Sequence, residues 1–235
     1  MSAMPIEPWT EATTAYWQSF DEAQVWQHKL QPPYRYTYPV QMPDGKVLAL
    51  PIRPVASSPG RAVASLIANQ ASLPVVARLA YAMGTLAAPM NAEVVVGLPT
   101  LGMVFAPHVA QQLGHRRWVP LGYSRKYWYE ESLSTTVASI TTPGTGKAIY
   151  LDPNQLPLLR GRRAVIVDDA ISSGQTIARV WDMLDRLGVD VVGVVVAMRQ
   201  GPVWRNRLGP GRAGKVLGAF DSPLLGLRAD GWWPL

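Results

Sequence analysis

Two adjacent carboxylates, Asp168 and Asp169, follow a short apolar run and mark the stretch of residues 164–176 with the clearest chemistry. A small, hydroxyl-rich loop comes next and leads into a predicted helix. Ligands of open parallel sheets lie at the carboxyl ends of strands. Loop amides, hydroxyls and a helix N-terminus form an anion cradle, whereas adjacent carboxylates bind sugar hydroxyls or an attached Mg²⁺ ion. The spacing therefore predicts a phosphorylated sugar as ligand, although a strand end with two solvated acids and a capped turn is an alternative.

Residues 164–176 resemble the signature of the type I phosphoribosyltransferase family. The shared pattern is four apolar residues, two acids, two apolar residues and small hydroxylic residues around a glycine, with Ala170 as a mild departure. The resemblance implies that Asp168 and Asp169 hold the ribose hydroxyls of phosphoribosyl pyrophosphate and help to hold Mg²⁺, which binds mainly through the substrate. The 5′-phosphate loop that it implies consists of Ala170, Ile171, Ser172, Ser173, Gly174, Gln175 and Thr176.

A second loop, between Gly97 and Gly102, follows a Val-rich run and precedes a predicted helix. This glycine spacing is weak by itself, but glycines let a backbone approach a ligand closely. Beside the first match it resembles the pyrophosphate loop of the family, made here of Leu98, Pro99, Thr100, Leu101 and Gly102. Family loops often hold a strained peptide, which by position falls at Pro99–Thr100. Leu101 stands where several members carry a basic residue, so amides, metal and other cations must meet the pyrophosphate charge.

Arg125 and Lys126 form a third match, at the end of the next predicted strand. Family members often carry a basic pair here that contacts pyrophosphate, so the resemblance implies a catalytic role for both residues. Residues 127–146 would then be a mobile flap that excludes water from the reacting sugar. A solvated surface pair remains the alternative.

The nucleobase site is predicted at the exit of a later strand, where Arg199 and Trp204 are the candidate base-binding residues. Arg199 stands where orotate-specific relatives place an arginine, but Met198 replaces their usual acid. The Val-rich strand and the following glycine resemble those of adenine- and xanthine-specific relatives. A purine base is favoured over orotate. Loop aromatics such as Trp204 more often pack than stack on a ligand.

The resemblance implies Mg²⁺-dependent transfer of a phosphoribosyl group from phosphoribosyl pyrophosphate to a nucleobase, with release of pyrophosphate. One alternative is an orotate or pyrimidine phosphoribosyltransferase. Another is a non-catalytic sensor of phosphoribosyl pyrophosphate that binds nucleic acid, since residues 199–215 hold five cations and no acid. An acidic N-terminal arm opposes that alternative, because a repressor would carry a basic helix pair there.

The elements that position these residues alternate between strand and helix, which predicts an α/β fold with an open, mostly parallel twisted sheet and helices on both faces. Predicted strands cover residues 92–97, 116–123, 147–152, 162–169 and 189–198, and predicted helices cover residues 101–114 and 174–188. Three segments follow: an N-terminal extension at 1–90, the phosphoribosyltransferase-like core at 91–200, and a basic, Gly-rich, irregular tail or hood at 201–235. The extension is predicted to hold a helical arm at 8–30, a hairpin at Asp44-Gly45 and helices at 60–90.

The amino-acid composition further limits the classes of protein and of site that this chain can represent. Apolar residues are 48% of the 235 residues, charged residues only 16%, and the net charge is +6. The absence of cysteine excludes disulfides, thiolate catalysis and Cys-based zinc sites. No secretory signal is recognised and the longest strongly apolar run is too short to span a bilayer, which favours a cytoplasmic protein without a membrane partner. A homodimer is expected from the resemblance alone.

Overall fold

The computed structural model describes residues 12–137 and 147–235. Residues 8–11 of the predicted arm and 138–146 of the predicted flap lie outside the described residues. The chain divides into two compact units, Met1–Val75 with Phe220–Leu235, and Val76–Ala219.

In chain order the described strands are β1 Thr37–Gln41, β2 Val47–Pro54, β3 Arg61–Ala64, β4 Val94–Gly97, β5 Val119–Pro120, β6 Ser134–Val137, β7 Lys147–Tyr150, β8 Arg163–Ile171, β9 Asp190–Gln200, β10 Val216–Ser222, β11 Leu224–Arg228 and β12 Gly231–Pro234. The α-helices are α1 Leu73–Ala87, α2 Gly102–Gln112, α3 Gln175–Arg186 and α4 Val203–Ala213.

The first unit is built on an antiparallel sheet with the order β1-β2-β3-β11-β12. The predicted hairpin is confirmed, since Gln41 pairs with Val47 across the Asp44-Gly45 turn. The prediction of helices at 60–90 is partly wrong, because residues 61–64 form β3 and α1 begins only at Leu73.

The predicted N-terminal helical arm is wrong over its described residues, which form only two short 3₁₀ helices, Thr13–Ala15 and Ala23–Trp26. Trp17 explains the difference, because its backbone is left-handed (φ 56°) and its side chain is only 1% exposed. Its indole N–H donates to the Ser65 carbonyl oxygen at 3.1 Å. The aromatic residues of the arm therefore serve packing rather than one face of a helix.

The second unit is centred on a sheet with the order β10-β9-β8-β4-β5, in which β4 pairs in parallel with β5 and β8, and β8 with β9. This arrangement confirms the predicted α/β fold with a mostly parallel sheet. Its continuous Val and Ile runs are buried on both faces. β8 lies in the middle, so the loop that follows it has a strand on either side.

Two predicted strands differ from the structure. The strand predicted at 116–123 is limited to Val119–Pro120. The strand predicted at 147–152 covers Lys147–Tyr150, and it pairs antiparallel with β6 in a separate two-stranded sheet. Strand β7 thus pairs with β6, which is close to it in sequence, and does not join the parallel sheet.

The irregular tail predicted at 201–235 is also wrong, because this segment contains helix α4 and strands β10–β12. Apolar residues spaced along it are buried, among them Val216, Leu225 and Trp232. Their burial stabilises regular structure in a segment whose glycines indicated loops.

Helix α1 and its 3₁₀ extension, Leu73–Met90, are long and apolar enough to cross a membrane by length and composition. Val75, Leu79 and Met83 of this helix are fully buried. Spacing by four residues along one helix face is the pattern of a core helix in a folded protein.

Candidate functional site

The paired acids lie at the carboxyl end of the central strand β8. Asp168 is only 8% exposed, and Asp169 is partly exposed. The backbone N–H of Asp169 donates to Oδ1 of Asp168 at 2.9 Å. The structure thus holds two neighbouring carboxylates at the edge of a sheet where ligands of open parallel sheets bind.

Burial raises the pKa of Asp168 well above its ordinary value, and the neighbouring charge of Asp169 raises it further. The backbone N–H groups of Asp169 and Gly102 oppose this rise. Burial also raises the pKa of Asp169, opposed by hydrogen bonds from Asp168 and from backbone amides. A buried acid pair of this kind gains from a cation or from hydroxyl donors, which makes it a candidate ligand site.

The upstream glycine loop lies directly against these acids. Helix α2 begins at Gly102, where an added Cβ would lie 2.7 Å from the Val167 carbonyl oxygen and 2.9 Å from Asp168 Oδ1. Only a glycine therefore lets the first amide of α2 approach the carboxylate. The Leu98 N–H donates to the same Val167 carbonyl oxygen at 3.0 Å.

The remaining residues of this loop differ in exposure. Leu98 and Pro99 are buried, Leu101 is half-buried and Thr100 is exposed. The Pro99–Thr100 peptide bond is cis, at the position that the family resemblance marked.

The predicted phosphate loop forms a cradle of its own. Residues 170–177 and Asp168 line a cavity of about 180 Å³. Ser173 Oγ accepts a hydrogen bond from the Gln175 N–H at 3.3 Å, at the N-terminus of the twelve-residue helix α3. Gly174, which precedes that helix, has a φ of 74° that few other residues adopt. Amides, hydroxyls and the positive end of the helix dipole meet here, as binding of an anion requires.

The structure brings Arg199 near this cradle but not the ring of Trp204. Arg199 pairs in register with Ile171, and an added Cβ at Gly218 would lie 2.7 Å from its Cγ. Trp204 is 1% exposed, so its ring packs and offers no face for a base, which corrects its place among the candidate base-binding residues. Its backbone packs under the loop instead, with Cα 3.1 Å from an added Cβ at Gly174.

Within residues 12–137 and 147–235, the predicted basic pair forms no bond to the paired acids. Arg125 is exposed and forms an ion pair with Glu131 at 3.4 Å. Over the described residues, neither Arg125 nor Lys126 forms a hydrogen bond or ion pair with the two loops or with Asp168 and Asp169.

Sequence reasoning missed Tyr123 and Lys147. The Tyr123 hydroxyl donates to the Pro99 carbonyl oxygen at 3.2 Å, and Lys147 Nζ lies 5.4 Å from the centre of the Tyr123 ring. Burial raises the pKa of Tyr123, and the negative charges of Asp168 and Asp169 raise it further. The position of Tyr123 just before the predicted basic pair was the one sequence signal that could have indicated its role. Lys147 lies 24 residues after Tyr123 in the sequence, and no local pattern connects the two residues.

The model of the phosphoribosyl transferase domain matches residues 62–208, more than half of the chain. The chain is 35% identical over 95 residues to a hypoxanthine/guanine phosphoribosyltransferase of Methanosphaerula palustris, covering 40% of this chain and 49% of that protein. It is 31% identical over 117 residues to an HGPRTase-like protein 2 of Haloferax volcanii, covering 49% and 59%. The matches thus span only about half to three fifths of the length of these relatives.

Solved structures share the fold. Adenine phosphoribosyltransferase from Saccharomyces cerevisiae, solved with an imino-altritol bisphosphate and adenine, aligns with a TM-score of 0.56 at 19% identity, covering 73% of this chain and 94% of that one. Adenine phosphoribosyltransferase from Rhodothermus marinus aligns with a TM-score of 0.52 at 20% identity, covering 68% and 93%. At this identity the likeness concerns the fold.

Proposed function

The chain belongs to the phosphoribosyl transferase family, and from this premise we propose that it transfers a phosphoribosyl group from phosphoribosyl pyrophosphate to a purine base. The observation that carries the proposal is the pair of neighbouring acids, buried Asp168 and partly exposed Asp169, with the Gly102 amide against Asp168 and the cavity of residues 170–177 beside it. A ligand that places hydroxyls at the acids and anions at the loops satisfies all three parts at once.

Each part of the site has a role in this proposal. Asp168 and Asp169 accept hydrogen bonds from the ribose hydroxyls, and residues 170–176 hold the 5′-phosphate. Residues 98–102 direct amides at the pyrophosphate. A nitrogen of the base attacks C1 of the ribose as the bond from C1 to pyrophosphate breaks. The electron pair of that bond leaves with pyrophosphate, and the proton that the base loses passes to solvent. Fixed orientation and the nearby carboxylates favour the positive charge that develops on the sugar.

Tyr123 and Lys147 add a cation on the pyrophosphate side. Arg125 is engaged by Glu131, whereas Tyr123 is bonded to the loop at Pro99 and has Lys147 over its ring. We assign Tyr123 a positioning role for the loop and Lys147 an electrostatic role toward pyrophosphate. Arg125 and Lys126 remain proposed contacts of the pyrophosphate as well.

The residues present fit a Mg²⁺ ion that arrives with its substrate. Mg²⁺ is commonly held by one or two carboxylates together with substrate oxygens, and Asp168 and Asp169 are such a pair. In the part of the chain that the structure describes, no cluster of three or more His, Cys, Asp or Glu side chains could hold a metal by itself. When bound, Mg²⁺ would neutralise and orient the pyrophosphate.

A purine base is proposed because of the names of the relatives. Both sequence relatives are hypoxanthine/guanine phosphoribosyltransferases or proteins like them. Arg199, in register with Ile171 at the end of β9, is the proposed base-side residue.

A screen of bases tests the proposal. The full chain is incubated with phosphoribosyl pyrophosphate and Mg²⁺ and with adenine, hypoxanthine, guanine, xanthine, orotate or uracil, while pyrophosphate release is followed. Turnover with a purine is expected. Turnover with orotate or uracil alone would make the protein a pyrimidine enzyme, and no turnover with any base would contradict catalysis.

We also propose that the chain forms a homodimer, as the family resemblance implies, and that it is cytoplasmic, as the sequence features favoured. Sedimentation equilibrium of the purified chain measures its oligomeric state. A monomer at micromolar concentration would contradict the proposed homodimer.

A further inference from the structure

A second cavity opens at the opposite edge of the parallel sheet, where the strands begin. It has a volume of about 210 Å³ and is lined in part by Glu93, which precedes β4, and by residues 115–118, which precede β5. Arg162, just before β8, completes this side of the lining. The loops proposed to bind substrate follow the other ends of the same strands, so the two sites share no residue.

Positive charge dominates this cavity. Its charged lining consists of Arg116, Arg117 and Arg162 against the single acid Glu93. The charge of Glu93 is already compensated, because its carboxylate forms ion pairs with Arg163 at 3.6 Å and Arg162 at 3.9 Å. It also accepts the backbone N–H of Arg163 at 3.0 Å. Arg116 and Arg117 are exposed and, among the residues that the structure describes, form no ion pair. Two guanidinium groups are thus available to an anion from solution.

His115 adds a buried polar atom that lacks a partner. Its Nε2 lies 3.1 Å from the Ala92 carbonyl oxygen. A carbonyl oxygen only accepts, so Nε2 carries the proton and Nδ1 of the neutral ring is an acceptor. Nδ1 is buried without a hydrogen-bond partner. Because Nδ1 is closed to solvent, a ligand in the cavity does not reach it, and the groups that can bind an anion there are the arginines.

We propose that this cavity binds the phosphate group of a small phosphorylated ligand. Guanidinium groups pair with phosphate oxygens in a fixed, often bidentate geometry, which suits Arg116 and Arg117. The site does not depend on the function proposed above, because its lining contains none of the substrate-binding candidates.

Trp118 provides a reporter within the cavity. Its ring lines the cavity, and its Cζ3 would lie 2.5 Å from a Cβ added at Gly97, the last residue of β4. The side chain therefore reaches from the arginine cavity to the start of the loop at Leu98. A change of charge or packing in the cavity is expected to shift the indole N–H signal of Trp118.

The test is a ¹H–¹⁵N NMR titration of the full chain with inorganic phosphate and, separately, with ribose 5-phosphate. The indole signal of Trp118 is assigned from the Trp118→Phe variant, and its shift is followed to saturation. Comparison of the two ligands distinguishes free phosphate from a phosphate attached to a sugar. Tighter binding of ribose 5-phosphate would show that the sugar adds contacts, and equal binding would show that the phosphate group alone is recognised.

Matched double variants separate a specific site from general charge. Arg116→Ala/Arg117→Ala removes two cavity cations, and Arg160→Ala/Arg186→Ala removes two exposed cations that do not line the cavity. Loss of two charge-assisted hydrogen bonds is expected to weaken the Trp118 response at least ~10-fold in the first variant and to leave it nearly unchanged in the second. The amide signals of Ser173 and Gly174 report on the other phosphate loop in the same spectra.

Two results would overturn the proposal. One is an unsaturable Trp118 shift in the unmodified chain. The other is equal weakening in both double variants, which would indicate nonspecific attraction. A response of Ser173 and Gly174 without one of Trp118 would contradict the second site while leaving the proposed function intact.

Discussion

Carboxylates at the two edges of one parallel sheet have opposite environments. At the carboxyl edge, burial raises the pKa values of Asp168 and Asp169, and over the described residues no ion pair compensates them. At the amino edge, the Arg163 amide and the charges of Arg163 and Arg162 lower the pKa of Glu93. The same type of side chain is thus left in need of a partner at one edge and is satisfied at the other.

The difference indicates that the carboxyl edge of the sheet lowers the stability of the fold and has a functional role. A buried, uncompensated acid pair costs folding free energy, and such cost is concentrated at functional sites. Glu93, by contrast, links the starts of β4 and β8 and leaves the neighbouring arginines of its edge available. The following substitutions test this contrast between a site built around acids and one built around cations.

The largest effect is expected for Asp168→Asn/Asp169→Asn. Asparagine keeps the shape but removes the charge that attracts Mg²⁺ and accepts hydrogen bonds strongly, so the affinity for phosphoribosyl pyrophosphate in Mg²⁺ should fall ~100-fold or more. Isothermal titration calorimetry measures this affinity without any need for turnover. Unchanged affinity would show that the acids are not the sugar site.

A steric variant tests the approach of helix α2 to the acids. Gly102→Ala places a methyl group within 2.9 Å of Val167 and Asp168 atoms, so we expect destabilisation of about 1–3 kcal/mol and weaker substrate binding. Gly122→Ala is the matched control, since an added Cβ there meets nothing within 4 Å. Urea unfolding of both variants measures the difference, and equal stabilities would contradict the close approach.

Lys147→Ala tests whether a cation missing from the glycine loop is supplied from β7. We expect KM for phosphoribosyl pyrophosphate to rise about 10-fold, in line with one charge-assisted hydrogen bond. Lys147→Arg should restore most of the affinity. The exposed Lys215→Ala is the control that removes the same charge elsewhere. A rise in KM as large in Lys215→Ala as in Lys147→Ala would assign the effect to net charge.

The smallest effects concern stability against pH in metal-free buffer. The folded-state pKa of Asp168 is above its ordinary value of 3.8, so its contribution to the free energy of unfolding should decline as pH rises from 3.8 through the raised pKa. Glu93 has a folded-state pKa below 4.5, so its contribution is present above pH 4.5 and is lost as pH falls through the lowered pKa.

Asp168→Asn should therefore stabilise the chain at neutral pH, and Glu93→Gln should slightly destabilise it there but not in acid. Thermal unfolding between pH 3 and pH 8 compares the two variants with the unmodified chain. If both variants changed the unfolding temperature in the same direction at neutral pH, the proposed difference between the two edges of the sheet would be contradicted.

The sequence by itself determined the central part of the fold and most of the cradle. Strand β8, the acids and the start of α3 lie within residues 163–176, and the buried strands β4 and β9 are continuous apolar runs. Both kinds of feature are local, because a continuous apolar run, a helix start and the side chains of a short loop are recorded in consecutive residues.

Only the tertiary structure decided which distant residues meet. It placed Gly102 against Asp168, bonded Tyr123 to Pro99, put Lys147 over that ring, and buried Trp204 below the phosphate loop. It also formed two short 3₁₀ helices from the described part of the predicted N-terminal arm, and it placed helix α4 and strands β10–β12 in the predicted tail.

The physical reason is the same in each case. These outcomes depend on burial and pairing between segments that are far apart in sequence, and no periodicity within one segment records its partner. The glycine at residue 102 therefore indicated a loop, but the sequence did not show which atoms lie too close for a side chain. The arginines likewise indicated positive charge, but the sequence did not show the cavity that they line.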